Sequence, residues 1–401
     1  MTGRPSKPLR AAIVGGGIGG LAAAIALSRR DIEVTVYEQA PALSEIGAGL
    51  VLYPNSLRQL DRLGVGQAVM ARGARLGPNS QYCRRDGSVV SSVLATDRTG
   101  VDGVHGMHRA DLLEVLAGAL SPKQIRTGHR CIAFDQTLES ATLTFANGER
   151  AEVDVALAAD GIQSVLQKYV VPPAPPEYSG VRAYRGVVRR DRLSDWRDEA
   201  HQVWMGDGKH FMVYPVRAGE LLNYVGFVPT QTQTPESWSA VGDRDELAAS
   251  FEGWNTSVTE VLKHVESCFW WGLYDRRPLP SWSNGRLALL GDAAHAMLPH
   301  LGQGANQAIE DGVALAVLLE GCRSDDIADA LKRYQALRRP RTDRIQAEAR
   351  QNGLRYDSRY ANLEVRDREV ASGAAFRQWV YDYDIEKEAL AARDGSERGS
   401  G

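Results

Sequence analysis

The stretch from Leu9 to Gly20 constrains this chain more than any other. Leu9–Val14 is an apolar run of strand length. It stops on Gly15-Gly-Gly-Ile-Gly-Gly20 and reopens as an Ala- and Leu-rich segment that reads as a helix. Gly15, Gly17 and Gly20 fit G-x-G-x-x-G, with Ile18 at the helix start. A second strand, Glu33–Tyr37, ends at Glu38, eighteen residues past Gly20. Gly15 allows a tight turn, Gly17 lets a pyrophosphate approach the backbone, and Gly20 lets helix and strand pack closely. The uncapped N–H groups of the helix then face the phosphates. Glu38 stands where a ribose would lie. A carboxylate there disfavours a 2′-phosphate, so the motif predicts FAD or NAD rather than NADP as the bound dinucleotide.

Composition narrows the rest. The 401 residues, 43% of them hydrophobic, suffice for two closely packed domains or one large one. A formal net charge of −3 gives no electrostatic case for nucleic acid or an acidic membrane. The clusters Arg338-Arg339-Pro340-Arg341 and Arg84-Arg85 read as solvated faces. Cys83, Cys131, Cys268 and Cys322 are scattered, fit neither a metal site nor a disulfide framework, and imply a reducing compartment. The apolar run Ala11–Leu27 is broken by five glycines and is explained as strand plus helix rather than as a signal segment. No run of about twenty apolar residues suggests a membrane span. A cytoplasmic protein with no membrane partner, monomer or homodimer, is expected.

Along the chain, Glu45-Ile-Gly-Ala-Gly49-Leu places two glycines in a short loop, which suggests close backbone approach to a large ligand. Ser56–Val65 reads as a helix. Residues 73–104 read as strands and turns, with Arg85-Asp86-Gly87 as a hairpin signal, and His108 to Leu120 as an amphipathic helix. Asn147-Gly148 marks a hairpin within 131–155, and Val155–Ala159 is a buried strand that leads into Asp160-Gly161. Pro172–Pro176, four prolines in five residues, is the best linker. Beyond it, short alternating strands at 181–188, 201–205, 211–216 and 222–228 predict an antiparallel sheet. Leu247–Val265, Ile309–Leu319 and Ile327–Arg350 read as helices, and the tail after Asp394 as disordered.

A second motif follows the strand Arg286–Leu290: Gly291-Asp292-Ala-Ala-His295, then Pro299, then Gly302-Gln303-Gly304-Ala305-Asn306 and Glu310-Asp311. Asp292 at a strand end can accept from ribityl or phosphate-side hydroxyls. The helix opened by these glycines can turn its positive end to a flavin.

With these motifs in order, the chain resembles the FAD-dependent aromatic hydroxylases, the class A flavoprotein monooxygenases. Gly15–Gly20 with Glu38, Asp160-Gly161, and Gly291-Asp292 with Pro299 and Gly302–Asp311 carry the resemblance over nearly the whole chain. Arg109 stands where the family's arginine contacts the cofactor. One departure is Gln167, beside Lys168, where family members commonly carry Arg. A lysine offers a point charge but no bidentate fork.

The resemblance implies an α/β fold: a Rossmann-like FAD-binding domain (1–72, 104–176 and 281–350), an interleaved antiparallel-sheet substrate domain (73–103 and 177–280), and a C-terminal helix and flexible tail (351–401). It implies tightly bound FAD, NADH or NADPH as transient co-substrate, and O₂. Oxygen is then delivered from a flavin C4a-hydroperoxide to an electron-rich ring, ortho or para to an activating hydroxyl. The implied cofactor residues are Gly15, Gly17, Ile18, Gly20, Glu38, Gly49, Arg109, Asp160, Asp292, Pro299, Gly302, Gly304, Ala305 and Asn306.

Strand alternation puts positions 210, 212 and 214 on one face, and the second motif carries His300 towards the flavin edge. The trio His210, Tyr214 and His300 resembles the catalytic set of 6-hydroxynicotinate 3-monooxygenases. The surroundings of His300 and Gln303 resemble salicylate hydroxylases. A phenolic or hydroxylated N-heteroaromatic acid is the expected substrate, hydroxylated with or without loss of a ring carboxylate. His210, Tyr214, Pro299, His300 and Gln303 are its expected contacts. His210 is equally readable as a hydrogen-bonded structural residue, Tyr214 as pocket lining and Gln303 as a helix cap. Arg182 and Arg185 read as a solvated sheet face or a carboxylate contact, Trp270-Trp271 as core, and His295 as structural. The alternatives are the same chemistry on a larger natural-product or purine scaffold, an oxygen-independent flavin dehydrogenase, and a non-catalytic flavin-binding module. The missing second G-x-G-x-x-G speaks against the dehydrogenase.

Overall fold

The computed structural model describes residues 8–43, 49–98, 103–230, 240–357 and 359–397. The loop residues Glu45–Ala48 lie outside them.

Strand β1 (Arg10–Val14) is buried on both faces. It pairs in parallel with β2 (Glu33–Tyr37) on one side and with Val155–Ala158 on the other, in the register Arg10↔Glu33 and Ala11↔Val155. Leu287–Leu289 adds a further parallel strand beside Val155–Ala158. Covered on both faces, these strands read as unbroken apolar runs, as parallel sheets require. Helix α1 (Ile18–Ser28) crosses from β1 to β2. The helix Gly304–Leu319 packs directly against it. The contact is made of small residues: a Cβ on Gly312 would lie 2.7 Å from the Ala23 backbone, and one on Gly19 would lie 2.9 Å from Ala308 Cβ. Close approach of these two helices turns both N-termini towards one cleft at the carboxyl ends of the parallel strands.

The second large sheet has eight strands, in the order Val241–Gly242, Cys268–Asp275, Glu177–Arg189, Leu221–Pro229, Lys209–Val216, Gln202–Gly206, Gln81–Arg84, Val89–Ser92. All its pairings are antiparallel except Gln202–Gly206 with Gln81–Arg84, which ties the earlier segment onto the later one. One face carries a core of Trp204, Phe211, Tyr224, Phe251 and Trp254 beneath two short helices. The other face looks towards the parallel-sheet half. A small sheet of Gly49–Leu52, Val104–His108 and Ala74–Leu76 lies between them.

The structure revises several boundaries. The helix expected over 247–265 is two helices, Arg244–Ser250 and Thr256–Lys263, each restarted by an N-cap: Asp243 accepts from Asp245 N and Glu246 N, and Asn255 from Ser257 N. The helix expected from Ile309 begins at Gly304. The helix from Ile327 runs 31 residues to Asp357 and contains Pro340. A C-terminal helix, Ile385–Glu397, buries Ile385 and Ala389 against the parallel-sheet core; of the tail expected to be disordered after Asp394, residues 398–401 lie outside the described residues. Arg338 and Arg341 are not on a solvated face: they are buried against Glu310 and Asp311. Among the described residues, no helix is long and apolar enough to cross a membrane.

Candidate active site

The cleft at the helix N-termini has a volume of about 610 Å³ and is lined by Gly15, Gly17, Ile18, Glu38, Arg109, Asp160, Asp292, Gly304 and Ala305. Its turn works as the glycine spacing requires. Gly15 has φ +111°, and a Cβ there would lie 2.2 Å from the Ala159 carbonyl oxygen. A Cβ on Gly20 would lie 2.0 Å from Gly15 O, so this glycine serves packing, and its side of the helix does not face the cleft. Gly17 has nothing within 4 Å of a Cβ position, and no side chain caps the helix there. The first-turn amides are therefore open to a ligand.

Glu38 is fixed by two backbone donors, Gly16 N to Oε2 at 2.7 Å and Ala40 N to Oε1 at 2.8 Å. Asp160 accepts from Val165 N at 2.9 Å through Oδ2, while its buried Oδ1 has no partner, and burial raises its carboxyl above the usual range. An orphaned acceptor and a backbone cradle that a side chain at Gly17 would fill both suit FAD. Gln167, in the position where the family carries Arg, is buried and donates to the Ala293 carbonyl at 2.9 Å, bracing the second motif. Lys168 lines the cleft.

Arg109, Asp292, Gly304 and Ala305 also line a second cavity of about 240 Å³, so the two spaces adjoin. Its floor is the inner face of the eight-stranded sheet, including Met212, Tyr214, Val225, Phe227 and Trp271. Pro299, His300, Leu301 and Gly302 close it from the cofactor side. Gly302 terminates this turn with φ +63°. His300 is buried, with Nδ1 unpartnered, and a Cβ on Gly353 of the long helix would lie 2.6 Å from its Cδ2. Burial, reinforced by the neighbouring His210, holds the His300 pKa well below that of a free imidazole. His300 is therefore an uncharged imidazole near neutral pH.

His210 is fully buried but is not part of the cavity wall. It lies behind His300, with ring centroids 5.2 Å apart, is stacked on Phe227 at 4.0 Å, and bonds through Nδ1 to Asp357 Oδ1 at 2.6 Å. Its Nε2 has no partner. Tyr214 does line the cavity, and burial raises its phenol far above the usual range, so it remains a neutral donor. Asn223 accepts from Gly49 N at 2.7 Å, which brings Gly49 onto the wall beside Tyr214.

Two expected contacts face elsewhere. Gln303 Oε1 accepts from Asn55 at 3.2 Å and from Gln307 at 3.0 Å, and Gln303 lines neither space. Asn306 accepts from Tyr53 N at 3.0 Å and donates to Val51 O at 2.9 Å, locking strand Gly49–Leu52 to the helix, and it lines neither space. Starting the helix at Gly304 rotates both side chains towards the segment around Asn55 and away from the cavity.

Other residues reach the cavity without a motif. Arg185 is 3% exposed and stacks over Trp271 at 4.7 Å, whereas Arg182, one face over, pairs with Glu246 at 3.0 Å. Strand alternation could have separated these two, since 183 and 185 share a face; the solvated-face expectation fails for Arg185. His201, Tyr82, Tyr356 and Arg377 also line the cavity, and no local pattern announces them. His295 bonds through Nε2 to Asp311 at 2.6 Å, inside the core.

Comparison with known proteins identifies the family. A family model described as FAD binding domain matches residues 9–349. The chain is 37% identical to a 3-amino-4-hydroxybenzoate 2-monooxygenase of Streptomyces platensis, over 94% of this chain and 96% of that one. It is 33% identical to a salicylate hydroxylase of Pseudomonas putida, over 98% and 97%. A salicylate hydroxylase substrate complex superposes with a TM-score of 0.83 at 30% identity, covering 96% of this chain and 98% of that one. The chain belongs to the FAD-binding family and is an FAD-dependent aromatic hydroxylase.

Proposed function

We propose that this enzyme uses NADH or NADPH and O₂ to hydroxylate a phenolic or hydroxylated N-heteroaromatic acid, ortho or para to the ring hydroxyl. The observation that carries the reading is His300: a buried, neutral imidazole on the cofactor motif, in an aromatic-walled cavity that adjoins the dinucleotide cleft. The named relatives support the substrate class, since 3-amino-4-hydroxybenzoate and salicylate are both carboxylated phenols.

Bound FAD would supply the redox chemistry of the site, passing two electrons from NADH or NADPH to O₂ so that one oxygen atom reaches the ring and the other leaves as water. Gly15, Gly17 and Ile18 would hold its pyrophosphate, Glu38 its ribose, and Asp160, Asp292 and Arg109 the stretch between the two spaces. His300 accepts the proton of the ring hydroxyl, and the resulting phenolate places electron density on the ortho and para carbons. His210 stands behind His300 and bonds through Nδ1 to Asp357, which fixes the orientation of its ring against His300. Tyr214, locked as a neutral phenol, donates a hydrogen bond to the substrate. The aromatic walls exclude water from the reacting centre.

The test is NADH or NADPH oxidation and O₂ uptake by the FAD-loaded protein against hydroxybenzoates, aminohydroxybenzoates and hydroxynicotinates, with product mass. Substrate-stimulated oxidation with gain of one oxygen atom shows plain hydroxylation. Replacement of carboxyl by hydroxyl shows the decarboxylative variant. No stimulation by any ring acid sinks the substrate assignment.

A further inference from the structure

Arg377 is a buried cation without an anion. It lies on the helix Ala374–Tyr381, is 7% exposed, and lines the aromatic cavity. Its Nη2 donates to the Tyr356 hydroxyl at 3.1 Å, and its guanidinium sits 5.0 Å over the Tyr82 ring. Among the described residues, no carboxylate pairs with it. Other buried arginines are held differently: Arg338 pairs with Glu310 and Asp311, Arg341 with Glu310 and Arg366 with Asp367, while Arg286 donates to the Leu138 and Asp154 carbonyls. A guanidinium does not lose its proton, so burial without a counter-charge is costly. Phenols and a π-face offset that cost only in part.

A second group points at the same place. His201 precedes the strand Gln202–Gly206, is 6% exposed, lines the cavity, and has an Nε2 with no partner. Burial and the Arg377 charge lower its pKa to about 4, so near neutral pH it is an uncharged imidazole that can donate one hydrogen bond.

We infer that Arg377 and His201 bind the carboxylate of the aromatic substrate. This rests on the reading of the cavity as an aromatic-acid site, and it assigns the acid group to one end of it. The Arg377 end lies at the Gln81–Arg84 and Gln202–Gly206 strands. Arg185 and Trp271 lie on strands at the far side of the same sheet. Tyr356 spans from Arg377, which it accepts from, towards His300, with ring centroids 6.4 Å apart. Acid group and ring hydroxyl are thereby read at separate points on one wall, which fixes the ring carbon presented to the cofactor. The C-terminal helices supply the specificity of the site.

The experiment is equilibrium titration of the FAD-loaded protein, followed by the flavin absorbance change. The probes are salicylate, 3-amino-4-hydroxybenzoate and 6-hydroxynicotinate, each with its carboxamide, which keeps the shape and loses the charge. Wild type should prefer acid to amide. Arg377→Met should weaken acid binding by about 10- to 100-fold, the range of charge-assisted hydrogen bonds, and leave amide binding within about twofold. Arg377→Lys should recover part of the loss. Should Arg377→Met fail to retain FAD, Arg377→Gln takes its place. Acid binding unchanged in these variants, or a wild type indifferent to the charge, overturns the inference. Turnover is scored separately: binding without NADH oxidation refutes the proposed reaction and leaves the anchor standing.

Discussion

Replacing Arg338 by Met probes the device that holds the second cofactor motif in place. Arg338 is fully buried; it donates from Nε to Asp311 Oδ1 at 2.8 Å and from Nη2 to Gln307 Oε1 at 2.8 Å, and it pairs with Glu310. Asp311 accepts in turn from Gly291 N at 2.9 Å and bonds His295 at 2.6 Å, so the network reaches the loop that presents Asp292. In Arg338→Met, Arg341 remains on Glu310, with Nε 2.9 Å from Oε2, but the buried Asp311 loses its guanidinium and keeps His295 and Gly291 N. Removing one partner of a buried ion pair costs about 3–5 kcal/mol, since the remaining charge stays desolvated. That is a large part of the ~5–15 kcal/mol that holds most proteins folded. Urea unfolding followed by tryptophan fluorescence, alongside flavin release, measures it. Burial pushes Glu310 and Asp311 up, but the surrounding cations outweigh it and keep both below the usual carboxylate range. Their stabilisation is present above the unfolded pKa and is lost as pH falls through the folded one. Removing Arg338 raises the folded pKa and moves that loss to higher pH. Adding Glu310→Gln to Arg338→Met should make the double variant less unstable than the sum of the singles. A cost below about 1 kcal/mol for Arg338→Met, with unchanged acid sensitivity, would refute the argument.

Gly17→Leu should fold and lose FAD, because its Cβ enters open cleft space, whereas Gly20→Val should unfold the protein itself, with its Cβ at 2.0 Å from Gly15 O; thermal melting with and without added FAD separates the two. His300→Ala should cut turnover by about 10²-fold or more while FAD binding is retained, and undiminished product formation removes His300 from the chemistry. Gly353→Ala should reproduce part of that loss by displacing the His300 ring, seen in kcat more than in FAD affinity. For His201, with a folded pKa of about 4 against an unfolded value near 6.5, stability is full above pH 6.5 and falls as pH drops towards 4, by up to about 3 kcal/mol; His201→Asn should flatten that part of the stability–pH curve.

The division between sequence and tertiary structure follows the range of the interactions. The turn at Gly15–Gly20, Glu38, and the stretch from Asp292 to Gly304 were readable because each depends on neighbours a few residues away: a positive φ, an uncapped helix end, a strand that stops. Hairpins at Gly87 and Gly148 were legible for the same reason, with φ of +93° and +86°. Gln303 and Asn306 carried the right motif and the wrong orientation, since the start of one helix set which way each side chain turned. His210 was placed on the correct strand, but only packing puts it behind His300 and bonds it to Asp357, 147 residues later. Arg338 and Arg341 looked like a solvated cluster because charge in a sequence carries no record of burial. Glu310 and Asp311, on another helix, supply the counter-charges that let them sink. Arg377 and His201 had no local signature at all. They meet because the C-terminal helices fold back over the edge of the eight-stranded sheet. The sequence by itself determined that this chain binds a dinucleotide and where its glycine turn and open helix N-terminus fall, because backbone geometry is local. Tertiary structure decided which groups line the cavity, because a buried charge takes its meaning from the groups folded around it.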